Sequence, residues 1–288
     1  MNPVPQLQAI EIERIAASPG WRAQRVEVFD TAVGKVIAKG QRALRGPGRH
    51  RVLSALAHLV GVPFLRAVPV HGGAQAQAVE IRRLQALAAA GAPVPQVLHV
   101  APDHFIMSWL GGNHLAAVLS ARRPAAFALW REGARALVRV HAAGQYLSQC
   151  FGRNVIVDEG SEPPCLAGMI DFEDDPLEVM TLAEAQVRDW LIYLQSTLWD
   201  LAVPVAQVDA VLDGFMAMEP APVRALFAQA SRRLGWLRVL PQNRRYGRDT
   251  IAVQAVAAAV HRWRLRHAGL QNLDGSSVST GSHDESHS

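Results

Sequence analysis

The sequence predicts an α+β chain built as two lobes, a small β-rich one first and a larger helical one after it. Three observations carry this expectation. Strand-like runs concentrate before residue 110, where Arg25–Phe29, Lys35–Lys39, Gln96–Val100 and His104–Trp109 alternate or are β-branched. A glycine pair, Gly111-Gly112, follows the last of them and marks a hinge. Beyond it the apolar spacing becomes mainly helical, so strands and helices are segregated rather than alternating. Residues 1–110 then form the N-terminal lobe, 111–267 the C-terminal lobe, and 268–288 a Ser-, Gly- and His-rich disordered tail.

Taken in order, a polar start precedes the first two runs, which the turn Asp30–Gly34 joins into a hairpin. Leu53–Val70 is apolar but broken by His58, Gly61, Pro63 and Arg66, a pattern for a bent element packed on a sheet or for a helix lying on a membrane surface. Gln75–Ala90 consists of helix formers and stops at Gly91 with Pro93 beyond. After the hinge, Pro124 opens a helix with an apolar stripe of Phe127, Trp130, Leu137, Val138 and His141. Two strands, Asn154–Val157 and Leu166–Ile170, make a second hairpin. Helical patterns then cover Leu182–Leu201, Val205–Met218, Pro222–Leu234 and Thr250–His267, the last with Asp249 placed to cap it.

Composition excludes several classes. Cys150 and Cys165 have no C-x-x-C spacing, so neither a disulfide framework nor a metal knuckle is expected. No leader pattern opens the chain and no apolar run reaches the roughly 20 residues of a spanning helix, which points to the cytoplasm. The net charge of +4 is spread along the sequence and carried almost wholly by arginine, so no nucleic-acid partner is expected from it. Lys35 and Lys39 are the only lysines, and a lysine in an arginine-rich chain invites attention.

Lys39 ends the strand Val36–Lys39, and Glu80 lies about forty residues later in a helix. A strand lysine fixed by a helix glutamate can hold nucleotide phosphates. Asp171 follows an apolar strand and precedes Phe172, while Asn154 begins the partner strand. Carboxylate and amide oxygens so placed suit Mg²⁺. His141 reads as a buried brace, Cys150 as packing, and Trp236 and Trp263 as core or interface anchors. The arginines near Tyr246 read as a solvated surface with some capacity for phosphate.

These residues carry a resemblance. Leu137–Asn154 (LVRVHAAGQYLSQCFGRN) resembles the approach to the catalytic loop of protein-kinase-like phosphotransferases, with His141, Gly144 and Asn154 matching. Val36–Lys39, Glu80, Phe105–Gly112, Asp171 and the Arg188-Asp189 pair fall in the same order. The bacterial lipopolysaccharide kinase group, which phosphorylates Kdo or heptose sugars, is the most similar in the Lys39–Glu80 segment and in Gly91–Pro95. The resemblance implies a two-lobed kinase-like fold and ATP with Mg²⁺. Lys39 and Glu80 would align phosphates, and Asn154 and Asp171 would hold the metal. The acceptor would be a protein hydroxyl or a membrane-proximal glycolipid, met at the inner face of the membrane.

The chain departs from that pattern at three places. Five residues before Asn154, where the kinase signature has its catalytic aspartate, stands Gln149, which can orient a hydroxyl but not take its proton. Phe172 is followed by Glu173 rather than glycine, and the run Glu173-Asp174-Asp175 offers a second cation site or a substitute base. The Asp30–Gly34 turn has one glycine, so no glycine-rich lid is expected. The alternatives are a pseudokinase serving as a nucleotide-binding or regulatory module, nucleotide-gated or nucleotide-free, and a membrane-surface adaptor.

Overall fold

The computed structural model of the protein describes residues 6–42, 66–69 and 71–268. The chain is mixed α+β, with its strands in two small antiparallel sheets and its second half largely helical. Of Leu53–Val70 only residues 66–69 fall among those described, and the tail from Gly269 lies outside them.

The opening residues are helical, not merely polar. Helices α1 (Ala9–Ala17) and α2 (Gly20–Gln24) precede the first sheet. Glu11 reaches back to accept the Gln8 backbone N–H at 2.9 Å, satisfying a donor that a helix start leaves unpaired. One apolar residue, Ile15, turns fully inward and packs with Trp21, Val36, Ala38 and Ile106 on one face of the sheet.

Strands β1 (Val26–Thr31) and β2 (Gly34–Gly40) form the expected hairpin, with Val26 opposite Lys39 and Thr31 opposite Gly34. Helix α3 (Gly73–Ala89) follows, then β3 (Val97–Val100) and β4 (His104–Ser108). The sheet order is β1-β2-β4-β3, so β2 is internal. Alternation along β2 puts Val36 and Ala38 on the α1 side and Ile37 with Lys39 on the other, towards the main core. Leu84 and Leu87 of α3 join Phe105 and Met107 of β4 in that core.

After the glycine pair come β5 (Asn113–His114), α4 (Leu115–Ser120) and α5 (Ala126–Ala142). Strands β6 (Val155–Asp158) and β7 (Cys165–Met169) complete a sheet of order β5-β6-β7. The short β5–α4 segment was not expected from the sequence. Asn154 does not begin a strand, as expected, but closes a 3₁₀ turn, Gly152–Asn154, just before β6. A strand would direct its side chain by alternation alone; the turn leaves it free to face Asp171.

Helices α6 (Leu182–Thr197), α7 (Val205–Met218), α8 (Ala221–Leu234) and α9 (Arg248–Arg266) fill the remainder. Thr181 and Glu184 cap α6 reciprocally, the Glu184 N–H donating to Thr181 Oγ1 at 3.3 Å and the Thr181 N–H to Glu184 Oε2 at 2.7 Å. Asp249 does not cap α9: Gly247 holds that position, and Asp249 sits in the first turn, where its charge suits the helix dipole. Tyr193 stacks on Trp130 and meets Trp190 edge-on, and the Trp130 indole donates to Thr197 Oγ1 at 3.0 Å. Of the two tryptophans expected as core or interface anchors, Trp263 is buried in the core and Trp236 is 56% exposed. No helix among the described residues is long and apolar enough to cross a membrane.

Candidate functional site

Four segments distant in sequence meet beside the C-terminal end of β2. Lys39 leaves the sheet on the core side and Glu80 comes from the first half of α3; both side chains are buried, and Lys39 Nζ donates to Glu80 Oε1 at 2.6 Å. The same ammonium lies 3.6 Å from Asp171 Oδ1 and 2.8 Å from Glu173 Oε1. Burial alone would discharge Lys39, but Glu80, Glu173 and Asp171 outweigh it and raise its pKa.

Asp171 leaves β7 in the left-handed backbone region, with φ of 73°. Aspartate tolerates that conformation better than most residues. Three of the four non-glycine residues with positive φ among those described, Arg25, Ser148 and Asp171, border this site. Strain of this kind persists where the surroundings over-determine it, and it gathers at functional positions. Phe172, buried among the core residues, holds the segment down.

Asn154 Nδ2 donates to the Gln149 carbonyl at 2.9 Å and stands 3.5 Å from Asp171 Oδ2. Both contacts use the nitrogen, so the amide N–H faces Asp171 and the amide oxygen is not engaged by either contact. The Asp171 side chain is about one-third exposed, with room for coordinated water. One carboxylate, one amide oxygen and water form a donor set that fits Mg²⁺. The carboxylates of Glu80, Asp171 and Glu173 also lie within 4.8 Å of one another, but Lys39 Nζ already reaches all three. Their charge is met by the ammonium, so the Asp171–Asn154 side is the more open place for a divalent ion.

Gln149 does not stand alone. Its amide donates to Asp174 Oδ2 at 2.8 Å, which puts a carboxylate of the acidic run beside it. Asp174 Oδ1 is buried without a hydrogen-bond partner among the described residues. Burial raises the Asp174 pKa; Arg42 opposes this, and Asp171 and Glu173 add to it. Asp175 is engaged elsewhere, accepting from Tyr146 Oη at 2.6 Å and facing Arg82.

Glu173 has a different set of partners. Arg25 donates to one of its oxygens and Arg42 to the other at 2.8 Å, with Lys39 as the third cation. Burial pushes this carboxyl up, but Lys39 and Arg25 hold it down at about 2. Arg25 and Arg42 escaped sequence reasoning because single arginines carry no signal in an arginine-rich chain. Their proximity is a consequence of the β1–β2 hairpin and becomes visible only in three dimensions.

The loop before Gln149 is braced from behind. His141 Nδ1 lies 2.8 Å from Glu219 Oε1 and its Nε2 3.4 Å from Asp189 Oδ2, all three residues being buried. Asp189 Oδ2 also accepts the Leu147 N–H at 2.6 Å, and Glu219 Oε1 accepts the Trp190 indole at 2.7 Å. Arg83 of α3 donates to the Tyr146 carbonyl at 2.5 Å and stacks over its ring at 3.6 Å. Cys150 is buried among apolar groups and its thiol is pushed well up by burial, which fits packing rather than nucleophilic chemistry.

No family model and no curated protein matches the chain.

Proposed function

We propose that this protein is an atypical ATP-dependent phosphotransferase of protein-kinase-like, two-lobed architecture. The observation that carries the reading is the convergence of Lys39, Glu80, Asp171 and Asn154, drawn from β2, α3, the exit of β7 and the turn before β6. Transfer of a phosphoryl group asks mainly for fixed positive charge on the phosphates, hard oxygen ligands for Mg²⁺ and an oriented acceptor hydroxyl. Lys39, held by Glu80, supplies the first, and Asp171 with Asn154 the second. The bound cation would neutralise charge on the phosphates. Gln149 and Asp174 together supply the third, Gln149 orienting the hydroxyl and the Asp174 carboxylate beside it accepting its proton. The acceptor is an alcohol, on a protein or on a lipopolysaccharide sugar at the inner face of the membrane.

A second reading, a pseudokinase that binds nucleotide as a regulatory signal, is favoured by Gln149 at the aspartate position and by the Glu173 carboxylate on Lys39. The test is thermal unfolding with and without Mg-ATP for the native chain, Lys39→Ala and Asp171→Ala. A rise in Tm for the native chain that either substitution removes supports nucleotide binding, and no rise in the native chain rejects it. Phosphate release or transfer by the same proteins then separates enzyme from pseudokinase.

A further inference from the structure

The described end of the Leu53–Val70 run docks beside the acidic run rather than on the first sheet. Val68, buried where Arg66 and Pro69 are exposed, belongs to a small apolar cluster with Tyr146, Met180 and Ala185, separate from the main core. Polar contacts fasten it on both sides. Arg66 donates to the Val179 carbonyl at 3.0 Å, and Arg188 of α6 donates to the Arg66 carbonyl at 3.0 Å. His71 Nε2 lies 2.7 Å from Glu178 Oε1. The chain then enters α3, where the Gly73 N–H donates at 2.8 Å to the carbonyl of Arg42, the residue whose guanidinium holds Glu173.

These contacts fall on two segments whose relative placement decides the site. Tyr146 stands three residues before Gln149, and Glu178, Val179 and Met180 stand four to six residues after Asp174. The hydrogen bond from Gln149 to Asp174 forms only while the two segments keep their register. One tie between them is direct, from Tyr146 Oη to Asp175. Val68 supplies a second, as an apolar group whose cluster takes in both. Arg188 fastens it to α6, where the next residue, Asp189, accepts the Leu147 N–H. Such ties matter out of proportion to their strength, because a misplacement of about 1 Å can cost about 10²-fold in rate.

We infer that Arg66, Val68 and His71 form a positioning strap for the proposed reaction: they fix the loop bearing Gln149 against the segment bearing Asp174, and so set the proton acceptor beside the group that orients the hydroxyl. This rests on the phosphotransferase reading and adds to it residues that act through Asp174.

Two variants of the full chain break the strap. Val68→Ala empties its apolar contact, and Arg66→Ala with His71→Ala removes two polar contacts at the exposed edge, where folding is little affected. Each should lower the turnover number about tenfold or more while the KM for Mg-ATP and the Mg-ATP thermal shift stay native. Val68→Ile keeps the contact and should keep the native rate. In an Asp174→Asn background the strap substitutions should cost nothing further, because the group they position is gone. Losses that add to that of Asp174→Asn would show general loosening and overturn the inference, as would a native turnover number in both strap variants. Hydrogen exchange read by mass spectrometry needs no activity. It should quicken in peptides covering residues 145–150 and 174–181 in each strap variant and stay native over residues 80–89 of α3. Unchanged exchange in the first two peptides also overturns the inference, whatever the response to Mg-ATP. If exchange quickens but native protein neither responds to Mg-ATP nor transfers phosphate, the phosphotransferase reading falls and the positioning role falls with it, leaving a tie between two segments.

Discussion

Glu173 Oε1 lies 2.8 Å from Lys39 Nζ, the same ammonium that Glu80 holds at 2.6 Å. With Arg25 and Arg42 also on its oxygens, Glu173 occupies a place that a nucleotide phosphate would compete for. Glu173→Gln keeps the shape and removes the charge, so Mg-ATP should bind about tenfold more tightly by calorimetry. Weaker binding would instead make Glu173 a metal ligand. The same substitution alters acid stability. The Glu173 pKa falls from the ordinary 4.5 to about 2 on folding, so its contribution is present above pH 4.5 and is lost as the pH falls towards 2. That contribution is on the order of 3 kcal/mol, and the unfolding free energy of Glu173→Gln should be flatter across that window.

The buried His141 gives the opposite slope. Burial would lower its pKa, but Asp189 and Glu219 raise it above the ordinary 6.5, so folding favours the imidazolium. Its stabilisation is therefore fully present below pH 6.5 and declines as the pH rises through the higher folded value. Chemical denaturation of the native chain as the pH is raised from below 6.5 should show that decline, and His141→Gln should remove the slope. Asp189→Asn should cost about 3–5 kcal/mol, because it leaves the histidine with weaker compensation and loosens the acceptor for Leu147 N–H.

The pairing of Lys39 with Glu80 was legible from the order of elements, a β-branched strand ending in a rare lysine and, about forty residues later, a helix with a glutamate in its first half. Asp171 was legible for the same reason, as a carboxylate at a strand exit before a packed phenylalanine. The partners of Glu173 and Gln149 were not. Arg25 and Arg42 flank the first hairpin, over a hundred residues from Glu173, and nothing in their spacing announces the contact. The sequence marked the acidic run as a substitute base without distinguishing its members; folding sends Glu173 to Lys39, Asp174 to Gln149 and Asp175 to Tyr146. Helix α1 was missed because its apolar side is thin, with one residue fully buried.

The glycine pair after β4 has a packing role that a substitution can isolate. Gly112 has φ of 72°, and a Cβ there would stand 2.3 Å from the Val157 carbonyl oxygen, a backbone atom fixed in β6. Gly112→Ala should destabilise by about 3 kcal/mol or more, through clash added to left-handed strain. Gly144 has a similar φ of 69° with nothing near the position of a Cβ. Gly144→Ala should therefore cost only about 1–2 kcal/mol. Equal Tm losses in the two variants would contradict the close approach at Gly112.

The catalytic role given to Asp174 rests on its place beside Gln149. Asp174→Asn should lower the turnover number by about 10²–10⁴ while the Mg-ATP thermal shift persists, because in the proposed reading other residues would hold the phosphates and metal. Gln149→Asp alone puts two carboxyl groups at hydrogen-bond distance. Like charges cannot both ionise there, so one proton would be shared and the pH optimum should move up rather than the rate at pH 7 rising. The double variant Gln149→Asp with Asp174→Asn restores one carboxylate and one amide in exchanged positions. It should recover a large part of the activity that Asp174→Asn loses, since either member of the pair can then accept the proton while the other orients the hydroxyl. Recovery in the exchange variant is an outcome that a purely structural Asp174 would not produce. An unchanged rate in Asp174→Asn would remove it from the mechanism altogether.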